Sequence, residues 1–382
     1  MKIDGRMWVM GVLMIVLCGV GSPARAEISL SVGMRYDSFV DDRSPKWEGT
    51  ELTVPFGALY TGEQFLLRIE SAYSRAAVTP GADADADLSG LTDTLLSVSY
   101  LFPDWPVGLM LGLDLNLPSG QERLSRRERM AEAGERHDLF EVDNFGEGFN
   151  AGLNVGVAKE LGPLNLALTS AYIVKGEYDS TADTSDDDVD PGDQVMAMGM
   201  LTWKFASGLT LEGSAAYSHV RPDTSDGEKS FQDGPKALLS AAARMQGQTT
   251  NVTAGLQYTT QDKNCELVSG SLDTEPANSN GTELFGWFDA VYRLSSRFDL
   301  QLLGDVRWYG ESDRVNAWNG LPFEGRRIRY AGGPGILFAQ NDRLSWNAVA
   351  KYFSMTQDPD MLQEQEITYR GINVSVGMTY TF

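Results

Sequence analysis

The chain ends Gly371-Ile372-Asn373-Val374-Ser375-Val376-Gly377-Met378-Thr379-Tyr380-Thr381-Phe382. In an extended chain, successive side chains point to opposite faces. Ile372, Val374, Val376, Met378, Tyr380 and Phe382 therefore share one face, and Gly371, Asn373, Ser375, Gly377, Thr379 and Thr381 share the other. One wholly apolar face backed by small polar residues is the pattern of a transmembrane β-strand, apolar toward lipid and polar toward a lumen.

The start of the chain agrees with its end. Lys2 and Arg6 precede an apolar run from Met7 to Val20, and Pro23-Ala24-Arg25-Ala26 follows. A basic start, an apolar centre and small residues at a cleavage point predict a secretory signal peptide over 1–26. The run is too short to span a bilayer. Leu17 stands before Cys18 where a lipoprotein signal needs a small residue. No later run is long enough for a membrane helix, which leaves 27–382 as closed β-structure if it lies in a membrane, since every backbone group must be paired in lipid. A net charge of −22 excludes a nucleic-acid partner, which needs a basic face. Cys265 has no partner after the leader, so no intramolecular disulfide is expected.

From Glu27 onward the alternation recurs. Ile28, Leu30, Val32, Met34 and Tyr36 alternate with Ser29, Ser31, Gly33, Arg35 and Asp37; Leu109, Leu111, Leu113, Leu115 and Leu117 alternate with Gly108, Met110, Gly112, Asp114 and Asn116. Short turns at 61–64, 103–106, 160–163, 206–208, 247–249, 295–297 and 340–343 alternate with long polar segments, of which 118–146 is the longest. The sequence predicts an all-β, transmembrane antiparallel barrel of about 16 strands, with short periplasmic turns and long extracellular loops. Outward aromatics supply an independent check. Tyr60, Phe65, Tyr100, Phe102, Trp203, Phe205, Tyr292, Phe298, Phe338 and Trp346 fall at short-turn ends, and Tyr36, Tyr73, Tyr172, Tyr217, Tyr258, Trp308, Tyr330 and Tyr352 at long-loop ends. Amphipathic rings gather at both membrane–water interfaces.

Two resemblances follow from these residues. Tyr380 and Phe382 resemble the C-terminal aromatic signal read by the barrel assembly machinery of Gram-negative bacteria. Ser89-Gly90-Leu91-Thr92-Asp93-Thr94, with Leu117-Pro118-Ser119-Gly120 at the end of the next strand, resembles the outer-membrane proteins of the MetA pathway of phenol degradation. That family tends to carry Gly-Leu-Gly-Asp and Leu-Pro-Thr-Gly here; Thr92 and Ser119 depart from it, and the likeness covers 89–120. The resemblance implies transport of small, often apolar or aromatic, compounds.

A lumen of this size is wide enough to conduct water and solutes unless something plugs it. Lumen parity puts Phe285, Trp287, Asp289, Arg307, Tyr309, Arg329, Phe353 and Met355 together as an aromatic wall inside the outer mouth, with Met196 and Met198 as apolar surface elsewhere. Ligand pockets are mostly apolar with a few placed polar groups, which makes these ten the expected solute site; packing against an inward-folded loop is the competing reading. Arg123, Arg126, Arg127 and Arg129 in the longest loop are the expected constriction, with a short solvated helix as the alternative. The acidic runs at 83–87 and 186–190 lack the spacing of known calcium loops, so no metal site and no cofactor are assigned. Only His137 and His219 could shuttle protons near neutral pH, and neither sits in a plausible catalytic set, so no enzyme is expected. The expected function is an outer-membrane channel for passive uptake of small molecules, apolar or aromatic compounds among them. The alternatives are a general diffusion porin for hydrophilic solutes and a structural barrel docking a partner protein. The expected partners are outer-membrane lipid and lipopolysaccharide, the assembly machinery and the solute.

Overall fold

The computed structural model describes residues 26–382 apart from 81–84, 104, 133–138, 143, 180, 183–187, 226, 318–319 and 362. The expected leader therefore lies, but for Ala26, outside the described residues, as do His137 and parts of both acidic runs.

The chain is a barrel because its alternating segments pair in sequence order and the last returns to the first. We label the barrel strands β1 (Glu27–Asp41), β2 (Trp47–Thr61), β3 (Phe65–Pro80), β4 (Ala86–Leu91, resuming as Thr94–Phe102), β5 (Gly108–Leu117), β6 (Asn150–Leu161), β7 (Leu164–Lys175) and β8 (Gln194–Lys204). The second half comprises β9 (Leu209–Val220), β10 (Lys236–Gln246), β11 (Thr250–Gln261), β12 (Glu283–Arg293), β13 (Phe298–Tyr309), β14 (Arg327–Ala339), β15 (Leu344–Gln357) and β16 (Ile367–Thr381). Each is antiparallel to the next, and β1 pairs with β16 from Ser29↔Thr381 to Asp41↔Tyr369, closing a 16-stranded barrel without a free edge.

Outward residues are those expected. Leu168, Leu239, Leu302 and Val376 stand exposed, while odd-numbered β1 residues from Asp37 to Asp41 are buried inside. Such an apolar band on a closed barrel places the protein in the outer membrane. Pairing runs beyond the apolar band at the long-loop end: β1–β2 reaches Val40↔Glu48 and β3–β4 reaches Val78↔Ala86. Polar sequence there reads as loop because hydropathy marks lipid contact, whereas backbone pairing continues into water. Beyond β7, β9 and β11 the long connections carry short strands (Tyr178–Asp179, Asp188–Asp190, Asp223–Ser225, Glu228–Gln232, Cys265–Val268 and Ser271–Thr274) that form a second, six-stranded sheet outside the barrel.

Candidate functional site

The functional space of a barrel is its lumen, and here one side of the lumen's outer half is filled. Phe39 of β1, Ala76 and Val78 of β3, Phe353 and Met355 of β15, and Ile367 and Tyr369 of β16 all have lumen parity. They form one buried cluster with Leu139 and Phe140 from the connection between β5 and β6, and Trp47 of β2 packs against it. The Phe39 ring lies 5.3 Å from Phe140, 5.6 Å from Trp47 and 6.2 Å from Tyr369. Burying Leu139 and Phe140 contributes about 1.5–3 kcal/mol each before the entropy of ordering the loop is counted.

Polar groups fasten the same segment. The backbone N–H groups of Glu141 and Val142 donate to one carboxylate oxygen of Glu51 at 2.8 and 3.2 Å, and Ser74 Oγ donates to the other at 3.2 Å. Arg35 pairs with the Glu141 carboxylate and, at 2.8 Å, with Asp37. Asn373 donates to Asp37 and accepts from Arg329 at 3.1 Å. Asp305 then binds Arg329 and Lys351, each at 2.9 Å. Together these groups make a polar belt inside β13–β16 and β1–β3 that holds the loop against the wall. Most of its charges are shielded from water, and each needs a partner to be tolerated there.

The Ser89–Gly120 resemblance has a structural counterpart at the root of the loop. Asp93 interrupts β4, and its carboxylate accepts from Gly120 N at 2.9 Å, Glu147 N at 2.8 Å and Asn116 Nδ2 at 2.6 Å. Thr94 Oγ1 lies 2.7 Å from Ser119 Oγ, and Asp93 N donates to Phe145 O at 3.1 Å. A Cβ on Gly120 would stand 1.8 Å from Phe145 O, so only glycine allows this approach. The two halves of the motif clip the start and end of the inward loop together.

The expected site residues fall into three places. Phe285, Trp287, Asp289, Arg307 and Tyr309 are together on β12 and β13. Phe285 and Trp287 are stacked at 5.4 Å and 18°, Arg307 lies 4.7 Å above the Phe285 ring, and Arg307 Nη1 donates to the Tyr309 hydroxyl at 3.2 Å. Glu283 is 3.4 Å from Arg307, and Asp289 accepts from Gln301 at 2.8 Å. The indole lies flat over Gly255, where a Cβ would come within 2.2 Å of it. Phe285 and Trp287 remain half-exposed to the lumen. Met196 and Met198 form a separate half-exposed patch on β8, opposite Ser218 and Ala216 of β9.

Phe353 and Met355 are not part of an open wall. Both are fully buried beneath Leu139 and Phe140, with Arg329 4.7 Å above the Phe353 ring, because the inward loop finds an apolar seat there. The arginines are not the inward segment either. Ser125 caps a six-residue helix, Arg126–Ala131, through a capping box with Glu128, and Arg123, Arg126, Arg127 and Arg129 are exposed. Arg123 pairs with Asp179 at 2.8 Å, Arg127 donates to Asp85 O at 2.6 Å and Arg129 to Thr181 Oγ1 at 3.2 Å, all on neighbouring loops. Tyr380 and Phe382 pack edge to face at 4.8 Å on the outer surface, and Phe382 N donates to Ile28 O at 2.9 Å across the barrel seam.

Comparison with solved structures finds outer-membrane proteins among those similar to this chain. An outer-membrane channel from Pseudomonas putida F1 is 12% identical with a TM-score of 0.42, over 95% of this chain and 97% of that one. A loop L8 deletion mutant of the outer-membrane protein OmpT of Vibrio cholerae is 9% identical with a TM-score of 0.45, over 94% and 100%. The toluene transporter TodX of P. putida is 9% identical with a TM-score of 0.43, over 94% and 91%. No family model and no curated relative matches the chain.

Proposed function

We propose that the protein is an outer-membrane channel for passive uptake of small molecules, with apolar or aromatic compounds favoured. The observation that carries this reading is the asymmetry of the lumen. A loop and a belt of paired charges fill the side formed by β13–β16 and β1–β3. The open side presents the stacked Phe285–Trp287 pair and the Met196–Met198 patch. A half-buried aromatic stack facing a lumen leaves apolar surface that an apolar solute can cover favourably. Phe285, Trp287, Asp289, Arg307 and Tyr309 form the outer station of the path, and Met196 and Met198 an adaptable apolar surface four strands further round the wall, on β8.

A general porin for hydrophilic solutes is the second reading. The partly exposed Lys351, Arg35 and Glu141 side chains of the belt favour it, since opposed charges along a lumen suit polar solutes. Planar-bilayer recording separates the two. The aromatic reading predicts small conductance reduced by millimolar aromatic solute, and the porin reading large conductance indifferent to it. No conductance at all would support a structural barrel instead.

A further inference from the structure

The seat beneath Leu139 and Phe140 has features of a ligand site occupied by the chain's own side chain. Its walls belong to the barrel: Phe39, Trp47, Ala76, Val78, Phe353, Met355 and Tyr369. Its occupant belongs to a loop. Phe140 meets Phe39 at 5.3 Å and 55°, within the range that aromatic pairs prefer. Room for the ring is made by Gly49 on β2, where a Cβ would lie 2.5 Å from Phe39 and 2.9 Å from Phe140. Any larger residue there would close the seat.

We propose that this niche is a binding station for one monocyclic aromatic solute, whose ring takes the place that Phe140 fills in the closed form. The inference rests on the channel reading above and names a second site for the same solute class. Three arguments support it. The lining has lumen parity, so withdrawal of Leu139 and Phe140 opens it to the transport path. The occupant is held partly by polar contacts that water can replace: two N–H bonds to Glu51 and the Arg35–Glu141 pair. The chemistry is selective, because a sugar-like ring would bury unpaired hydroxyls in an aromatic box, which is unfavourable. Competition with Phe140 weakens the solute's apparent affinity by the fraction of time the niche is open. Weak binding suits a channel, which must release what it takes up.

Hydrogen exchange on the intact wild-type barrel tests this directly. The Glu141 and Val142 amides, protected by Glu51, should exchange several-fold faster in saturating benzene, while strand amides of β8–β11 stay unchanged and glucose has no effect. In a Phe140→Ala variant, benzene should bind at least tenfold more tightly than to wild type. Adding Val78→Phe, which refills the seat, should abolish the gain. Unchanged exchange at Glu141 and Val142 in benzene, in a protein that still speeds entry of labelled benzene into cells, would overturn the station and leave the channel reading intact. If the protein does not speed benzene entry at all, the channel reading fails and the station with it.

Discussion

Ala241 and Ala242 are neighbours at the centre of β10, and the fold gives them opposite fates. Ala241 faces lipid, opposite Gly213 and Leu256; Ala242 faces the lumen, opposite Glu212 and Gly255. Ala241→Arg therefore sets a guanidinium in hydrocarbon. Five residues separate position 241 from either end of the strand, Lys236 or Gln246. At about 3.3 Å per residue and a tilt near 40°, that is roughly 12 Å of depth, beyond an arginine's reach to the interface. The cost should approach the mid-bilayer value of about 2–4 kcal/mol. Ala242→Arg places the same group in the lumen beside Glu212, where the cost should stay below about 1 kcal/mol. Each 1.4 kcal/mol is tenfold in the folding equilibrium, so a gap of at least about 1 kcal/mol should separate the variants by about fivefold or more. Folding into phospholipid vesicles, titrated with guanidinium and followed by tryptophan fluorescence, measures this. Equal stabilities, or a less stable Ala242→Arg, would refute the assignment of faces.

Other outcomes follow from particular contacts. Deleting Phe382 removes the Tyr380–Phe382 pair and the bond to Ile28, and should sharply lower the amount of heat-modifiable barrel in membranes; normal levels would refute an assembly role. Asp93→Ala removes the acceptor for Gly120 N and Glu147 N and should speed proteolysis within 118–149 with little change in barrel melting temperature. Gly255→Val should drive the Trp287 indole off the wall and lower conductance; unchanged conductance would place the indole away from the path. Burial, and next to it the Asp93 carboxylate, hold Glu147 above its ordinary pKa of 4.5. The docked loop thus binds this proton more tightly than the free loop. Its contribution to docking is present below that value and is lost as pH rises through the raised pKa. Proteolytic nicking of the loop should accelerate over that window in wild type and lose this dependence in Glu147→Gln.

Much of the barrel is legible in the sequence because lipid imposes a strict code. Lipid-facing positions across the middle of the strands are mostly apolar, and period-two alternation exposes that directly. The proposed solute site is legible in part, since Phe285, Trp287 and Arg307 lie on adjacent strands whose register follows from the turns. The inward segment is not. Four arginines at helical spacing draw attention to 123–129, yet a capping box there needs only water and neighbouring loops. The decisive signal is quieter. Phe39, Trp47, Phe353 and Tyr369 are aromatics with lumen parity at strand tops, and such residues need an apolar cover. Leu139-Phe140 is an apolar pair within the polar loop that can supply it. Glu51 and Asp37, acidic residues among them, mark where its backbone and its neighbouring charge are held. Pairing these signals needs three-dimensional closure of β16 onto β1, which no local window contains.

The central claim is that the lumen selects aromatic solutes through the open wall on β12. Paired uptake in cells whose outer membrane carries the protein tests it most directly, using a labelled aromatic and a labelled sugar of similar size. The account predicts that the wild-type protein speeds aromatic entry more than sugar entry. It also predicts that Phe285→Ala with Trp287→Ala slows the aromatic several-fold while sugar entry stays level or rises. Parallel changes in both solutes, or no difference between cells with and without the protein, would contradict it.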